Sequence, residues 1–189
     1  MPILGIIASS ITGSTLTSYE SISTVTVGGG GSASVSFTSI PATYTHLQVR
    51  AIVRTTSASN PNLAYKLNND TSNSNYRYHQ IIGTGATISG EYLAAGTSNS
   101  FIIGNDILSL SGDLANTFGT MVLDIIDYTN TNKYKTVRNL FGKDLNGSGA
   151  VALASSLWSS TAAVNRIDFN CISDNLAQYS QFALYGVRA

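Results

Sequence analysis

Short runs in which apolar and polar residues alternate with a period of two, each cut off by turn residues, most constrain the fold of this chain. In "ASVSF", Ala33, Val35 and Phe37 share a face. In "HLQVRAIVR", Leu47, Val49, Ala51 and Val53 point one way and His46, Gln48, Arg50 and Arg54 the other. "LAYKL" groups Leu63, Tyr65 and Leu67, and "YRYHQII" sets Tyr76 and Tyr78 against Arg77, His79 and Ile81. Only extended backbone, whose side chains project to opposite faces in turn, converts such patterns into one buried and one wet surface. "MVLDIIDY" is apolar on both faces for most of its length, which predicts a central strand covered on both sides.

Further runs are "SFIIGNDIL", "KYKTVRNLF", "AVALASSLW", "VNRIDFNCI" and "SQFALYGV", and residues 19–27 add another. The total is about ten strands and no convincing helix. "GGGG" at 28–31, "SASNPN", "NNDTSNSN", "TGATISG", "TNTN" and "NGSG" punctuate them with residues that tolerate turns. "LAAG" at 93–96 and "GDLANTFG" at 112–119 have room for a single helical turn each. Strands at this spacing without intervening helices predict an all-β, antiparallel β-sandwich, jelly-roll-like in type. No linker or composition shift divides residues 17–189, which read as one domain. The closing "FALYGVRA" predicts a C-terminus tied into a sheet.

The opening "MPILGII" needs cover, and it is joined to the first strand by the loose "ASSITGSTLTS". It lacks the positive start and the apolar length of a secretory signal, and it is far shorter than the roughly 20 residues that span a bilayer. Pro2 stands where myristoylation needs glycine. Residues 1–16 therefore read as an apolar arm and tether, with Ile3, Leu4, Ile6 and Ile7 able to dock on a neighbour. An ordinary first strand of the core is the other reading.

Chemistry is sparse. The two histidines, His46 and His79, fall on the polar faces of strands and lack the sequence context of a nucleophile elbow or a zinc helix. Asp124 and Asp127 would point to opposite faces of a strand, so they do not make a glycosidase pair. Cys171 is the single cysteine; it alternates with Ile167 and Phe169 and reads as a buried small residue. The turns "DLNGSG" and "NNDTSN" offer oxygen ligands without the acidic ladder of a calcium loop. No enzyme, no metal and no cofactor is expected, with a cryptic hydrolase as a minor alternative.

Lys+Arg and Asp+Glu both number 10, so the chain has no general attraction for nucleic acid or anionic membrane. Only 11% of residues are charged, against about a quarter in ordinary soluble domains, and hydroxyl and amide groups make up the polar surface. That composition suits a protein packed against copies or partners. Ten tyrosines add to this, because tyrosine gives area and a hydrogen bond at half-buried contacts, and also stacks on sugars. Tyr76, Tyr78, Lys133, Lys135 and Arg138 join the arm as candidate interface residues. Lys133 and Lys135 would share one strand face and Arg138 the other.

"FTSIPATYTHLQVRAIVRT", "ANTFGTMVLDIIDYTNTNKYKTVRNLFG" and "FALYGVRA", together with "MPILGIIASS", resemble small virion structural proteins of tailed bacteriophages, especially those of aquatic bacteria and cyanobacteria. The resemblance covers nearly the whole chain and rests on no catalytic motif. It implies a jelly-roll-like sandwich that works by assembly on a particle made in the host cytoplasm. Members include capsid decoration or cement proteins and tail or fibre components. A decoration protein, trimeric by family analogy and contacting the major capsid protein or other virion proteins, is the first expectation. A tail-fibre module that binds host-surface glycans is the second.

Overall fold

A computed structural model describes residues 18–59, 62–96, 102–104, 108–172 and 174–188. The expected arm, with Ile3, Leu4, Ile6 and Ile7, lies outside these residues. The described chain is an antiparallel β-sandwich of twelve strands. These are β1 (Tyr19–Thr26), β2 (Ser34–Phe37), β3 (His46–Val53), β4 (Leu63–Leu67), β5 (Tyr76–Thr84), β6 (Thr87–Leu93), β7 (Ile102–Gly104), β8 (Gly119–Ile125), β9 (Lys135–Asp144), β10 (Gly149–Trp158), β11 (Ile167–Cys171) and β12 (Gln181–Val187). One sheet has the order β1-β12-β3-β8-β9-β10-β5-β6 and the other β2-β11-β4-β7.

Consecutive strands β2 to β5 change sheet at every step, and β7 and β11 each return to the smaller sheet. This winding gives the sandwich its jelly-roll-like order. The antiparallel meander β8-β9-β10 sits in the middle of the larger sheet, and β12 and β1 extend it beyond β3. β12 pairs with β1 on one side and β3 on the other, so the C-terminal strand is tied in as expected.

The period-two patterns set which side of each strand enters the core. Leu47, Val49 and Val53 of β3, Met121, Leu123 and Ile125 of β8, and Val137 and Phe141 of β9 are buried facing the smaller sheet. From that sheet come Phe37, Leu63, Tyr65, Leu67, Ile167 and Phe169. Aromatic contacts bridge the two layers: Phe169 stacks on Phe182 at 5.1 Å, and Tyr65 meets Tyr76 edge to face at 5.9 Å. Such pairs add about 0.5–1.5 kcal/mol each beyond the area they bury.

Three expectations need correction. The stretch 87–93 sits largely in a region read as turn, yet it forms β6. This edge strand is mostly exposed, so nothing imposes an apolar alternation on its sequence. "GDLANTFG" holds no helical turn, and neither does "LAAG"; among the described residues the one 3-10 turn is Asn73–Asn75. Arg54 organises the 111–118 loop instead, its guanidinium donating to the carbonyls of Leu114, Thr117 and Asp113 at 2.9, 2.8 and 3.2 Å.

The third correction concerns β8. It is central in its sheet, but the described residues cover one face only, leaving Val122 exposed in the strand and Ile126 exposed just beyond it.

Candidate interaction surface

The outer face of the eight-stranded sheet is built by the residues that alternate with the core. In β9 they are Thr136, Arg138 and Leu140; in β10, Val151, Leu153 and Ser155; in β5, His79 and Ile81. Strand registry lines them up across the sheet. Val122 pairs with Leu140, Leu140 with Leu153, and Leu153 with Ile81. Four aliphatic side chains from four adjacent strands thus form one row, with Leu140, Leu153 and Ile81 each more than half exposed. Isolated exposed aliphatics are ordinary; a contiguous row of them is the kind of surface that interaction sites carry.

Two different borders flank this row. On one side lies a belt of paired polar groups. Asp124 accepts from Arg138 at 2.9 Å and from the Gln48 amide at 2.8 Å, and the Gln48 carbonyl accepts from Arg50 at 2.8 Å. The Arg50 guanidinium lies over the rings of Tyr19 and Tyr185, 5.5 and 5.2 Å from their centroids. On the other side Gly83 and Gly142 leave a trough of about 880 Å3 lined with Thr120, Val151, Ile88 and Phe118. A Cβ on Gly142 would stand 2.8 Å from the Ala150 carbonyl oxygen, so the trough floor is backbone by necessity. At the β6 end, Tyr92 stacks on His79 at 5.7 Å beside a hollow of about 510 Å3 that Arg138, Leu153 and Ser155 also line.

The sequence-expected interface residues divide sharply. Arg138 lies on this face, and Lys133 is exposed in the β8–β9 turn, ion-paired with Asp127. Tyr76, Tyr78 and Lys135 are fully buried inside the sandwich and are not available to a neighbour. Tyr76 accepts from the Leu67 amide at 3.1 Å and donates to the Asp70 carbonyl at 3.2 Å. Lys135 donates to the carbonyls of Asn130, Lys133 and Thr161 at 2.6, 2.9 and 3.1 Å, closing the turns at one end of the sandwich. Burial pulls its ammonium below the ordinary lysine range. Sequence reasoning set these residues in the correct phase but did not assign that phase to the core.

The missed surface is the row itself. Its clearest sequence signal is Trp158: the largest side chain of β10 sets the inward phase, which sends Val151 and Leu153 outward and Ala150, Ala152 and Ala154 inward.

The histidines stand apart. His46 Nδ1 accepts the Asp127 amide at 3.0 Å, and His79 lies on the outer face. Asp124 and Asp127 do diverge, but because Asp127 lies past the strand end, in a turn at φ 49°. Cys171 is buried, and burial raises its thiol pKa above the ordinary value. Among the described residues no three of His, Cys, Asp and Glu gather as a metal site would require.

Fold and surface together define a β-sandwich protein with a row of aliphatic side chains on one sheet face that the described residues leave uncovered. No family model, curated protein or solved structure matches the chain.

Proposed function

We propose that this chain is a structural component of a tailed-phage particle, a decoration or cement protein that stabilises the shell by packing against its neighbours without turning over a substrate. The observation that supports this reading most is the apolar row Val122–Leu140–Leu153–Ile81 on the outer sheet face. A weakly charged surface and the resemblance of the "FTSIPATYTHLQVRAIVRT" and "FALYGVRA" segments to virion proteins point the same way. Many copies on a lattice act together, so a modest contact per copy suffices. The major capsid protein is the partner proposed, and a trimer the assembly.

A tail or fibre role is the second reading, favoured by the Tyr92–His79 stack beside its hollow, where an aromatic face and polar groups suit a sugar ring. One experiment separates the two: quantify the chain in purified particles, and titrate it onto shells lacking it and onto host cells. Copy number on the scale of the shell, with a raised disruption temperature of the refilled shells, supports the first reading. Low copy number with saturable cell binding replaces it with the second, and absence from particles overturns both.

A further inference from the structure

We infer that the apolar row on the outer face of the eight-stranded sheet receives the N-terminal segment, residues 1–10, of a second copy of this chain. The inference rests on the assembly reading above and names the two surfaces that meet. Three observations carry it.

The first is chemical match. Residues 1–17 contain no Asp, Glu, Lys, Arg or His, and four of the first seven are isoleucine or leucine. The row they would cover is aliphatic; the charge beside it, Arg138, is paired with Asp124 at 2.9 Å, and Asp144 stands exposed at the far rim of the trough. Docking along the row therefore buries apolar surface without separating Arg138 from its carboxylate, and Asp144 keeps its water at the rim.

The second is length. Val122 to Ile81 spans three strand spacings, about 14 Å, and an extended seven-residue segment covers about 23 Å. The row and the Gly142 trough together give that segment a floor of side chains on one side and open backbone on the other.

The third is where the described chain begins. Ser18 accepts from the Arg188 amide at 3.0 Å beside β1, the outermost strand at the far edge of the sheet from the row. Leu140 and Leu153 lie four and five strands away and about five residues further along, a separation of about 28 Å. Residues 8–17 would span about 16–19 Å root-mean-square as an unstructured chain. Covering its own row would stretch that tether across the ridge of Tyr19, Arg50 and Tyr185, whereas a neighbour's row can be placed within easy reach.

The test uses the full chain, a form lacking residues 2–10, and the outward-facing substitutions Leu140→Lys and Leu153→Lys, each checked for folding by circular dichroism. Sedimentation equilibrium should show the full chain self-associating, with the deletion and each substitution weakening association tenfold or more. A labelled MPILGIIASS peptide should bind the deleted protein and lose that binding with either lysine. Excess unlabelled peptide should dissociate full-chain oligomers, a measurement that needs no variant. Unchanged association after deletion, equal peptide affinity for the lysine variants, or a full chain monomeric at every concentration overturns the inference. Shell binding is measured separately on the same proteins. A chain that coats shells as a monomer overturns this inference and the trimer while leaving the decoration role intact.

Discussion

Two polar side chains, the buried Lys135 and the half-buried Asp70, hold one end of the sandwich, and both work by satisfying loop or side-chain polar groups. Replacing Lys135 by Met removes the donor that Asn130, Lys133 and Thr161 share, leaving up to three carbonyls to find water. Lys135→Met should lower the unfolding free energy by about 2–4 kcal/mol in urea titration. Asp70 accepts from Trp158 Nε1 at 2.7 Å, Asn75 Nδ2 at 2.8 Å and the Ser72 amide at 2.9 Å. Burial pushes its carboxyl up, but these hydrogen bonds together outweigh burial and hold it below the ordinary value.

A carboxyl lowered on folding contributes stability that is complete above its unfolded pKa, about 4, and is lost as the pH falls through the lower folded value. Asp70→Asn should flatten the decline of stability between pH 5 and the acid limit, read by Trp158 fluorescence during urea unfolding at each pH (about 5 down to about 2). At this scale the sequence was half legible. Alternation set Lys135 with Val137 and Phe141, and Tyr76 with Tyr78, but a lysine on a strand reads as surface until three carbonyls are seen to converge on it.

At the scale of elements, the eight-stranded sheet is wide because β12 and β1 are added beyond β3, and one glycine makes that junction possible. The Tyr44 ring lies across Gly186 of β12, so a Cβ there would clash with the ring carbons Cγ, Cδ1 and Cδ2. Tyr44 then donates its hydroxyl to Glu20 of β1 at 2.9 Å, and Arg188 lies over the same ring at 5.0 Å. Gly186→Ala should displace Tyr44 and loosen β1 from β12. The expected cost is about 1–3 kcal/mol, with faster amide exchange confined to β1 and β12. The central elements were readable in sequence because both of their faces carry a pattern. β6 was not, since an uncovered edge strand has no buried side to impress an alternation on its residues. β8 failed in the opposite way: its two apolar faces imply two covers, and the described chain supplies one.

For the whole molecule, the decisive feature is asymmetry between the sheets. Eight strands face four, so the inner face of the larger sheet is roofed across its middle, and no described residue covers its outer face. The sequence by itself determined the all-β class, the antiparallel sandwich and the phase of most strands, because a period of two is a local property that any short window reveals. It also marked the apolar opening segment and the scarcity of charge. Only the tertiary structure decided which phase met the second sheet. It also decided that Val122, Leu140, Leu153 and Ile81 fall into one row and that Tyr76, Tyr78 and Lys135 leave the surface. Those outcomes depend on registry between strands distant in sequence and on which remote segment covers a face, and neither quantity is written in any single stretch of the chain.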